Sequence, residues 1–354
     1  PAPHPPPTWL LRSPFSWQMP LTIAIVGVTH WHTERYVQML SKRGARFVGA
    51  SDADPVAGAK AASRYGIDFT PDTADMLAKA RPDFAVVVPR HDRALREVSA
   101  VLDRHLPMLI EKPLGRNAVE ARATADAINK ARVFATTCFP NRHLEIWDAY
   151  RELSAQGALG TVIHAHFRTI NGPPARYIEY GVPWMLDPAI SGGGGLRNLG
   201  IHAADAIATL AGQRSLRLVG GGTTNIGYSG NVEDFGAGIF AAADGFMATL
   251  EAGYSYAAMQ EGGDYEWRIA ATGAYLHESN GTLVVRHRDG KREERAVRTP
   301  SVAYEIMVNA AIDAFEQDRA PPAPVDDCVR AVALQDLIYE AARARAGSFT
   351  SSKA

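Results

Sequence analysis

The chain has 354 residues, 46% of them hydrophobic, and carries 37 Lys and Arg against 38 Asp and Glu for a formal net charge of -1. That length exceeds one ordinary core and the apolar content can fill two, while a near-neutral charge without a basic stripe gives nucleic acid or an anionic membrane nothing to hold. The two cysteines, Cys138 and Cys328, form neither a CxxC pair nor a disulfide framework, which points to a reducing, cytoplasmic setting; no apolar run reaches the roughly 18 residues of a membrane span.

Residues 1–18 open with a run of prolines that cannot be helical and lack the charged-then-apolar order of a secretory signal. They are expected to be a disordered or artefactual arm, with the native start at Met19. Leu21 to Gly27 is then a β-branched run ending in glycine, followed by a polar turn and by Tyr36, Val37, Met39 and Leu40 at helical spacing. Phe47 to Asp52 forms a second strand ending in an acid, the position at which a dinucleotide fold holds the adenosine ribose hydroxyls. A carboxylate there repels a 2′-phosphate, so Asp52 favours NAD over NADP.

The phosphate-binding fingerprint is incomplete. Where G-x-G-x-x-G is expected the chain reads Gly27-Val28-Thr29-His30-Trp31-His32, and only the first glycine is present. Thr29 still lets the backbone come near a pyrophosphate, and its hydroxyl can donate to it. His30 and His32 have no carboxylate or cysteine ligand nearby in the sequence, so no metal is expected; helix capping or phosphate contact suits them better. Helices follow over residues 56–65 and 73–79, with a short strand at Asp68-Phe69 between them and an apolar run from Asp83 to Pro89 after them. A helix over 94–105 leads to the strand Met108-Leu109-Ile110, which ends abruptly in Glu111-Lys112-Pro113. The carboxyl edge of a parallel strand is where α/β proteins place ligands, so Lys112 can hold a substrate hydroxyl or a developing alkoxide. A helix over 119–131 and a strand over 133–138 bring the expected count to six strands separated by helices, a doubly wound parallel Rossmann sheet spanning residues 19–140.

From residue 141 the pattern changes. A helix over 144–156 and a strand over 161–169 lead into an irregular stretch rich in Gly, Pro and Tyr, which ends in glycines at 192 to 195. Later segments at 217–226, 234–242, 245–256, 265–272, 275–279 and 281–286 read as strands without intervening helices, so a large, open, mainly antiparallel sheet is expected in an α+β domain over 141–347, with a helical stretch at 326–346 and a tail at 348–354. Asn198, His202 and Asp205 fall at i, i+4 and i+7 and would share one face of a continuous helix. In the irregular stretch, Arg176, Tyr177 and Trp184 offer stacking faces and donors suited to a sugar or polyol.

Glu111-Lys112-Pro113 after such a β/α series, Pro183-Trp184-Met185-Leu186-Asp187-Pro188, the glycine run, and Gly200-Ile201-His202-Ala203-Ala204-Asp205 together resemble the glucose-fructose oxidoreductase and inositol dehydrogenase (Gfo/Idh/MocA) family, from Leu21 to about Gly347. The resemblance implies an NAD(P)-dependent oxidoreductase acting on a secondary alcohol or carbonyl of a sugar, polyol or sugar acid, with homo-oligomer contacts through the C-terminal sheet. It implies His202 as acid/base and Lys112 as the cation on the reacting oxygen, Asn198, Trp184, Tyr177 and Arg176 toward the substrate, and Gly27, Thr29, His30, His32, Asp52, Pro89, Arg90, Glu111, Lys112 and Arg142 toward the cofactor. A cis Lys112-Pro113 bond, as in some relatives, follows from the same likeness. Three departures stand out: the thinned glycine fingerprint, Arg93 where many relatives carry histidine, and Asn198 in place of an aspartate. The last removes a charge beside His202 that Asp205 could in part restore. A non-catalytic NAD- or sugar-binding regulator and an NAD-dependent glycosidase are the rival readings.

Overall fold

The computed structural model describes residues 20–228, 230–259 and 262–351, so the expected arm at 1–18 lies outside the described residues. The described chain divides into two compact units. The first comprises residues up to Gly115, Val119–Cys138 and Met307–Asp326; the second comprises Arg116–Ala118, Phe139–Ile306 and the residues from Asp327 onward.

The first unit is built on strands β1 (Thr22–Val26), β2 (Arg46–Ser51), β3 (Phe84–Val87), β4 (Met108–Ile110) and β5 (Ala135–Thr137). They pair in parallel in the order β2-β1-β3-β4-β5. Helices α1 (Thr33–Lys42), α2 (Pro55–Tyr65), α3 (Thr73–Ala80), α4 (Ala94–Leu102) and α5 (Ala118–Ala131) alternate with them. β3, β4 and β5 are buried along their whole length, as strands covered on both faces must be, which is why they read as unbroken apolar runs. The expected sixth strand at Asp68-Phe69 is one isolated bridge, Ala50 to Phe69. The chain there is confined between Gly66, which ends α2 in the left-handed conformation, and Pro71, which has no N–H to give a ladder. Phe315, from the late segment of the unit, packs its ring 5.2 Å from Phe84 and 5.7 Å from Phe134, and Arg43 pairs with Asp313 and Glu316. The first unit is therefore not one continuous run of chain.

The second unit starts with α6 (Glu145–Ala155) and strand β6 (Val162–Ile170), followed by the short helical turns α7 (Arg176–Glu179), α8 (Pro188–Ser191) and α9 (Gly195–Asn198) and by α10 (Gly200–Ala211). Strands β7 (Arg217–Thr224), β8 (Phe235–Ala241), β9 (Met247–Gly253), β10 (Asp264–Ala271), β11 (Ala274–Ser279), β12 (Thr282–His287) and β13 (Arg292–Ala296) complete an eight-stranded sheet. Its order is β13-β12-β11-β10-β6-β9-β8-β7, antiparallel throughout except where β6 lies parallel to β9. Ala165, Phe167 and Thr169 of β6 are buried while His164, His166 and Arg168 alternate with them, the period of a sheet with one packed and one open face. α10 packs on β6 and β9, and α6 on β11 and β12. β13, which is not among the strands expected from the sequence, is Arg-Glu-Glu-Arg-Ala; it has no apolar alternation and is held by its backbone pairing to β12. Helices α11 (Pro300–Glu316) and α12 (Val325–Ser351) close the chain. Among the described residues no helix is long and apolar enough to cross a membrane, and no cluster of side chains could hold a metal ion.

Candidate active site

In the first unit the site residues gather at the carboxyl ends of β1, β2, β3 and β4. Gly27 ends β1 with φ +88°, and a Cβ there would stand 2.2 Å from the carbonyl oxygen of Val88, so the tight turn admits glycine alone. After it, the amides of Gly27 and Val28 donate to the Ser51 carbonyl, that of His30 to Gly27 and that of Thr33 to His30. Thr29 spends both its amide and its hydroxyl on one oxygen of Asp52, each at 2.8 Å. The hydroxyl expected to meet a diphosphate is thus bound to a carboxylate, a stronger acceptor already inside the fold. Asp52 also accepts the Asp54 amide on its other oxygen at 2.9 Å. Three of about four acceptor positions on the carboxylate are filled, which leaves room for one ribose hydroxyl.

His30 is buried, its ring stacked 3.8 Å from that of Trp31, and its Nδ1 accepts the amide of His32 at 3.1 Å. That bond fixes the proton of the neutral ring on Nε2, and burial, with the neighbouring His32, drives the His30 pKa well below its ordinary value. His32 lies at the start of α1, its Nδ1 2.8 Å from Oε1 of Glu111. Burial lowers its pKa too, against the pull of Glu111, so at neutral pH it is a neutral donor through Nδ1.

Glu111 is the hub of this corner. Its carboxylate takes the Tyr36 hydroxyl at 2.5 Å and the backbone N–H of Lys112 at 3.1 Å as well as His32, and the Tyr36 hydroxyl also lies 3.0 Å from the Cys138 sulfur. Burial pushes the Glu111 carboxyl up, but His32, by its hydrogen bond and by its charge in acid where the imidazoles are protonated, outweighs it together with His30 and Lys112 and holds the group well below the usual carboxylate range. Lys112 is itself only 5% exposed, and the Lys112-Pro113 bond is cis. Pro89 is buried at the tip of β3, whereas Arg90 is half-exposed and turns its guanidinium onto Asp92 at 3.1 and 2.9 Å. Arg93, in the turn before α4, pairs with Glu97 at 3.1 Å. His91, which the sequence reading passed over, is buried near His30; its one signal was its place two residues after the strand-ending Pro89.

In the second unit the expected continuous helix through Asn198, His202 and Asp205 is broken. α9 ends at Asn198 and α10 begins at Gly200, because the Gln335 amide donates to the carbonyls of Leu196 and Arg197 and so enters the hydrogen-bond ladder at that point. Asn198 is buried and donates from Nδ2 to the hydroxyls of Tyr177 at 2.6 Å and Tyr254 at 3.3 Å. Tyr254, which no motif in the sequence marked, lies with its ring 5.4 Å from that of Tyr177. Burial pushes the Tyr177 hydroxyl up to about 12 and that of Tyr254 well above its ordinary value, so both are neutral phenols.

His202 is buried on α10 with the ring of Phe139 edge-on at 6.1 Å. Asp205, one turn on, does not spend its charge on His202: both of its oxygens are taken by Arg142, at 2.8 and 2.5 Å. Arg142, expected toward the cofactor, is further bound by Asp327 at 2.8 Å and lies over the Phe139 ring at 5.1 Å. Arg142, Phe139 and Asp205 thus form the wall behind His202. Trp184 is partly exposed in the turn Pro183–Leu186, and Arg176 is buried beside Tyr177.

The sequence matches two family models that together cover most of the chain: "Oxidoreductase family, NAD-binding Rossmann fold" over residues 21–139 and "GFO/IDH/MocA C-terminal domain" over residues 147–277. It is 26% identical over 166 residues to the rhizopine catabolism protein MocA of Rhizobium meliloti, covering 46% of this chain and 49% of that protein. It is 25% identical over 173 residues to levoglucosan dehydrogenase of Pseudarthrobacter phenanthrenivorans, covering 47% and 42%. The chain thus spans about half the length, or less, of the curated relatives it matches. Among solved structures, levoglucosan dehydrogenase in complex with NADH and levoglucosan superposes with a TM-score of 0.79 at 17% identity over 92% of this chain and 98% of that one. An inositol dehydrogenase homolog complexed with NAD+ from Azotobacter vinelandii superposes with a TM-score of 0.78 at 16% identity, over 92% and 96%. At those identities the superpositions speak for the fold alone. The two family matches, with the Gly27 turn and Asp52 in place for a dinucleotide, establish that the chain belongs to the Gfo/Idh/MocA oxidoreductase family and that its first unit is an NAD-binding Rossmann domain.

Proposed function

We propose that this chain is an NAD-dependent dehydrogenase that oxidises a secondary alcohol of a sugar, polyol or sugar acid, or reduces the matching carbonyl. The observation that carries the reading is Lys112: an amine nine-tenths buried at the carboxyl end of β4 in an NAD-binding sheet, on a backbone held by Glu111. Burying a lysine costs stability, and a role at a reacting oxygen is a common reason for keeping one at a strand tip. NAD, when bound, supplies the hydride acceptor.

The chain's own residues supply the rest. Gly27 makes the turn on which the dinucleotide rests, and Asp52 offers its remaining acceptor position to the adenosine ribose. Because the amides from Val28 to His30 point inward, a diphosphate would be met by the N-terminal end of α1. Lys112 places a cation on the alcohol oxygen as its proton leaves, and His202, walled by Phe139, takes that proton.

The carbohydrate direction rests on the relatives, which include dehydrogenases of levoglucosan and an inositol dehydrogenase homolog. A cytoplasmic setting agrees with the two buried cysteines, neither of which is in a disulfide. Copies of the chain would associate through the open face of the eight-stranded sheet, where Ile239 and Met247 stand exposed. The reading is tested by mixing the protein with NAD and a panel of cyclic polyols, aldoses and sugar acids while following the absorbance of reduced nicotinamide. Stoichiometric reduction with at least one of them supports it, and none with any would favour a regulatory binding protein.

A further inference from the structure

Among the described residues of the second unit, Arg176 and Arg197 are buried and Arg142 is partly so, and two of these three arginines have carboxylate partners. Arg142 is bound by Asp205 and Asp327. Arg197 is held by Asp336 and Gln335 and lies over the ring of Tyr339 at 4.9 Å. Arg176 is different. It is 8% exposed, among the described residues its one hydrogen bond runs from Nη2 to the carbonyl of Met259 at 3.0 Å, and its Nε, like that of Arg197, is buried without an acceptor. No carboxylate among the described residues pairs with it.

A guanidinium cannot shed its proton to escape burial, so an uncompensated one is a standing cost to the fold. The chain is shaped around this one all the same. A Cβ on Gly172 would come within 2.3 Å of Nη2, so the arginine rests against bare glycine backbone and the 258–259 segment. The next residue, Tyr177, carries the hydroxyl that Asn198 binds, and Asn198 stands where the family resemblance expects an aspartate. Around Arg176 and Tyr177 there is thus a buried positive charge that no carboxylate among the described residues pairs with, and a neutral amide at 198. That is the charge pattern of a site whose missing partner arrives with the ligand.

We propose that Arg176 is the subsite for a carboxylate on the substrate, and that the substrate is a sugar acid, an aldonate or uronate, rather than a neutral polyol. The planar fork of the guanidinium matches a carboxylate in two parallel hydrogen bonds, while Asn198 and the two phenols provide the neutral polar lining that sugar hydroxyls need. An aspartate at position 198 would repel such a ligand, and asparagine does not. This inference rests on the dehydrogenase reading for the word substrate, but the anion site itself does not.

The test measures binding by calorimetry in the presence of NAD, with D-gluconate and D-galacturonate set against D-glucose, D-galactose and D-glucose 6-phosphate. At least one of the two acids should bind about 10–100-fold more tightly than its neutral sugar, the range of hydrogen bonds to a charged group. In Arg176→Met that preference should collapse to within a few-fold, and in Arg176→Lys, which keeps the charge but not the fork, it should be only partly retained. Without ligand, Arg176→Met should melt no lower than the parent because it removes an unpaired buried charge, whereas Arg197→Met, which strands Asp336, should melt lower. Equal binding of acids and neutral sugars overturns the proposal, as does tighter binding of the phosphate ester or a preference for acids that survives in Arg176→Met. Acid binding without nicotinamide reduction would keep the carboxylate site and reject the dehydrogenase. Reduction by neutral polyols with no preference for acids would do the reverse.

Discussion

Glu111 in the first unit and Glu278 in the second are both carboxyls inside the protein, and their surroundings drive them in opposite directions. Glu111 takes three donors, from His32, Tyr36 and the Lys112 amide, and is held ionised. Glu278, on β11, accepts the Ile146 amide at 2.8 Å and otherwise faces other acids: burial, with Glu145 and Asp148 nearby, pushes it up to about 7. The local cation, Arg298, is already bound to Glu145 and Asp148. Burial opposes the charge of both glutamates, and the partners decide the outcome. In the first unit the charge is used to fix the turn at α1 beside Lys112; in the second it is tolerated.

The largest effects should come from the two residues assigned to the chemistry. Lys112→Ala and His202→Ala should each lower kcat/KM by about 10²–10⁴-fold while NAD affinity changes no more than a few-fold. Turnover that survives in either variant would remove that residue from the mechanism. Next comes Glu111→Gln, which keeps the shape but takes the charge from three donors; it should cost about 2–3 kcal/mol in urea unfolding at pH 7. A depressed folded-state pKa contributes stability above the unfolded pKa and loses it as pH falls through the folded one, so the advantage of the parent over this variant should shrink below about pH 4.

Glu278→Gln is the counter-test, with the opposite sign. A folded pKa raised to about 7 gives stability that is complete below the unfolded pKa near 4.5 and is lost as pH rises toward 7. The variant should therefore match the parent near pH 5 and exceed it by about 2 kcal/mol at pH 8. A parent whose stability does not decline across that range relative to the variant would show that the neighbouring acids do not act on Glu278. Smallest of all, the exposed pair of Arg64 with Glu34 should yield within about 0.5 kcal/mol on Arg64→Ala, since water screens it.

Much of the architecture was legible because its signals are local. Unbroken apolar runs told of a parallel sheet buried on both faces, period-two alternation told of the open sheet, and Asp54 and Gly66 bracket α2 by ordinary capping. β13 escaped because a strand that is charged along most of its length carries no such signal. The candidate site was legible as a set of residue types: Glu111-Lys112-Pro113, Asp52 and the Asn198–Asp205 segment all drew attention. Their partners were not. Arg142 meets Asp205 across 63 positions and Gln335 reaches Arg197 across 138, and no window of sequence holds both members of such a pair.

By itself, then, the order of residues determined the two kinds of sheet, the glycine at the β1 turn and the acid at the end of β2, because backbone sterics and apolar periodicity act over a few neighbours. Only tertiary structure decided which charges are used up and which remain. It gave Thr29 to Asp52, Asp205 to Arg142 and His32 to Glu111, and among the described residues it left Arg176 with a single carbonyl. The physical reason is that a buried charge is settled by whichever groups the fold brings within about 3 Å, and that distance is unrelated to separation along the chain.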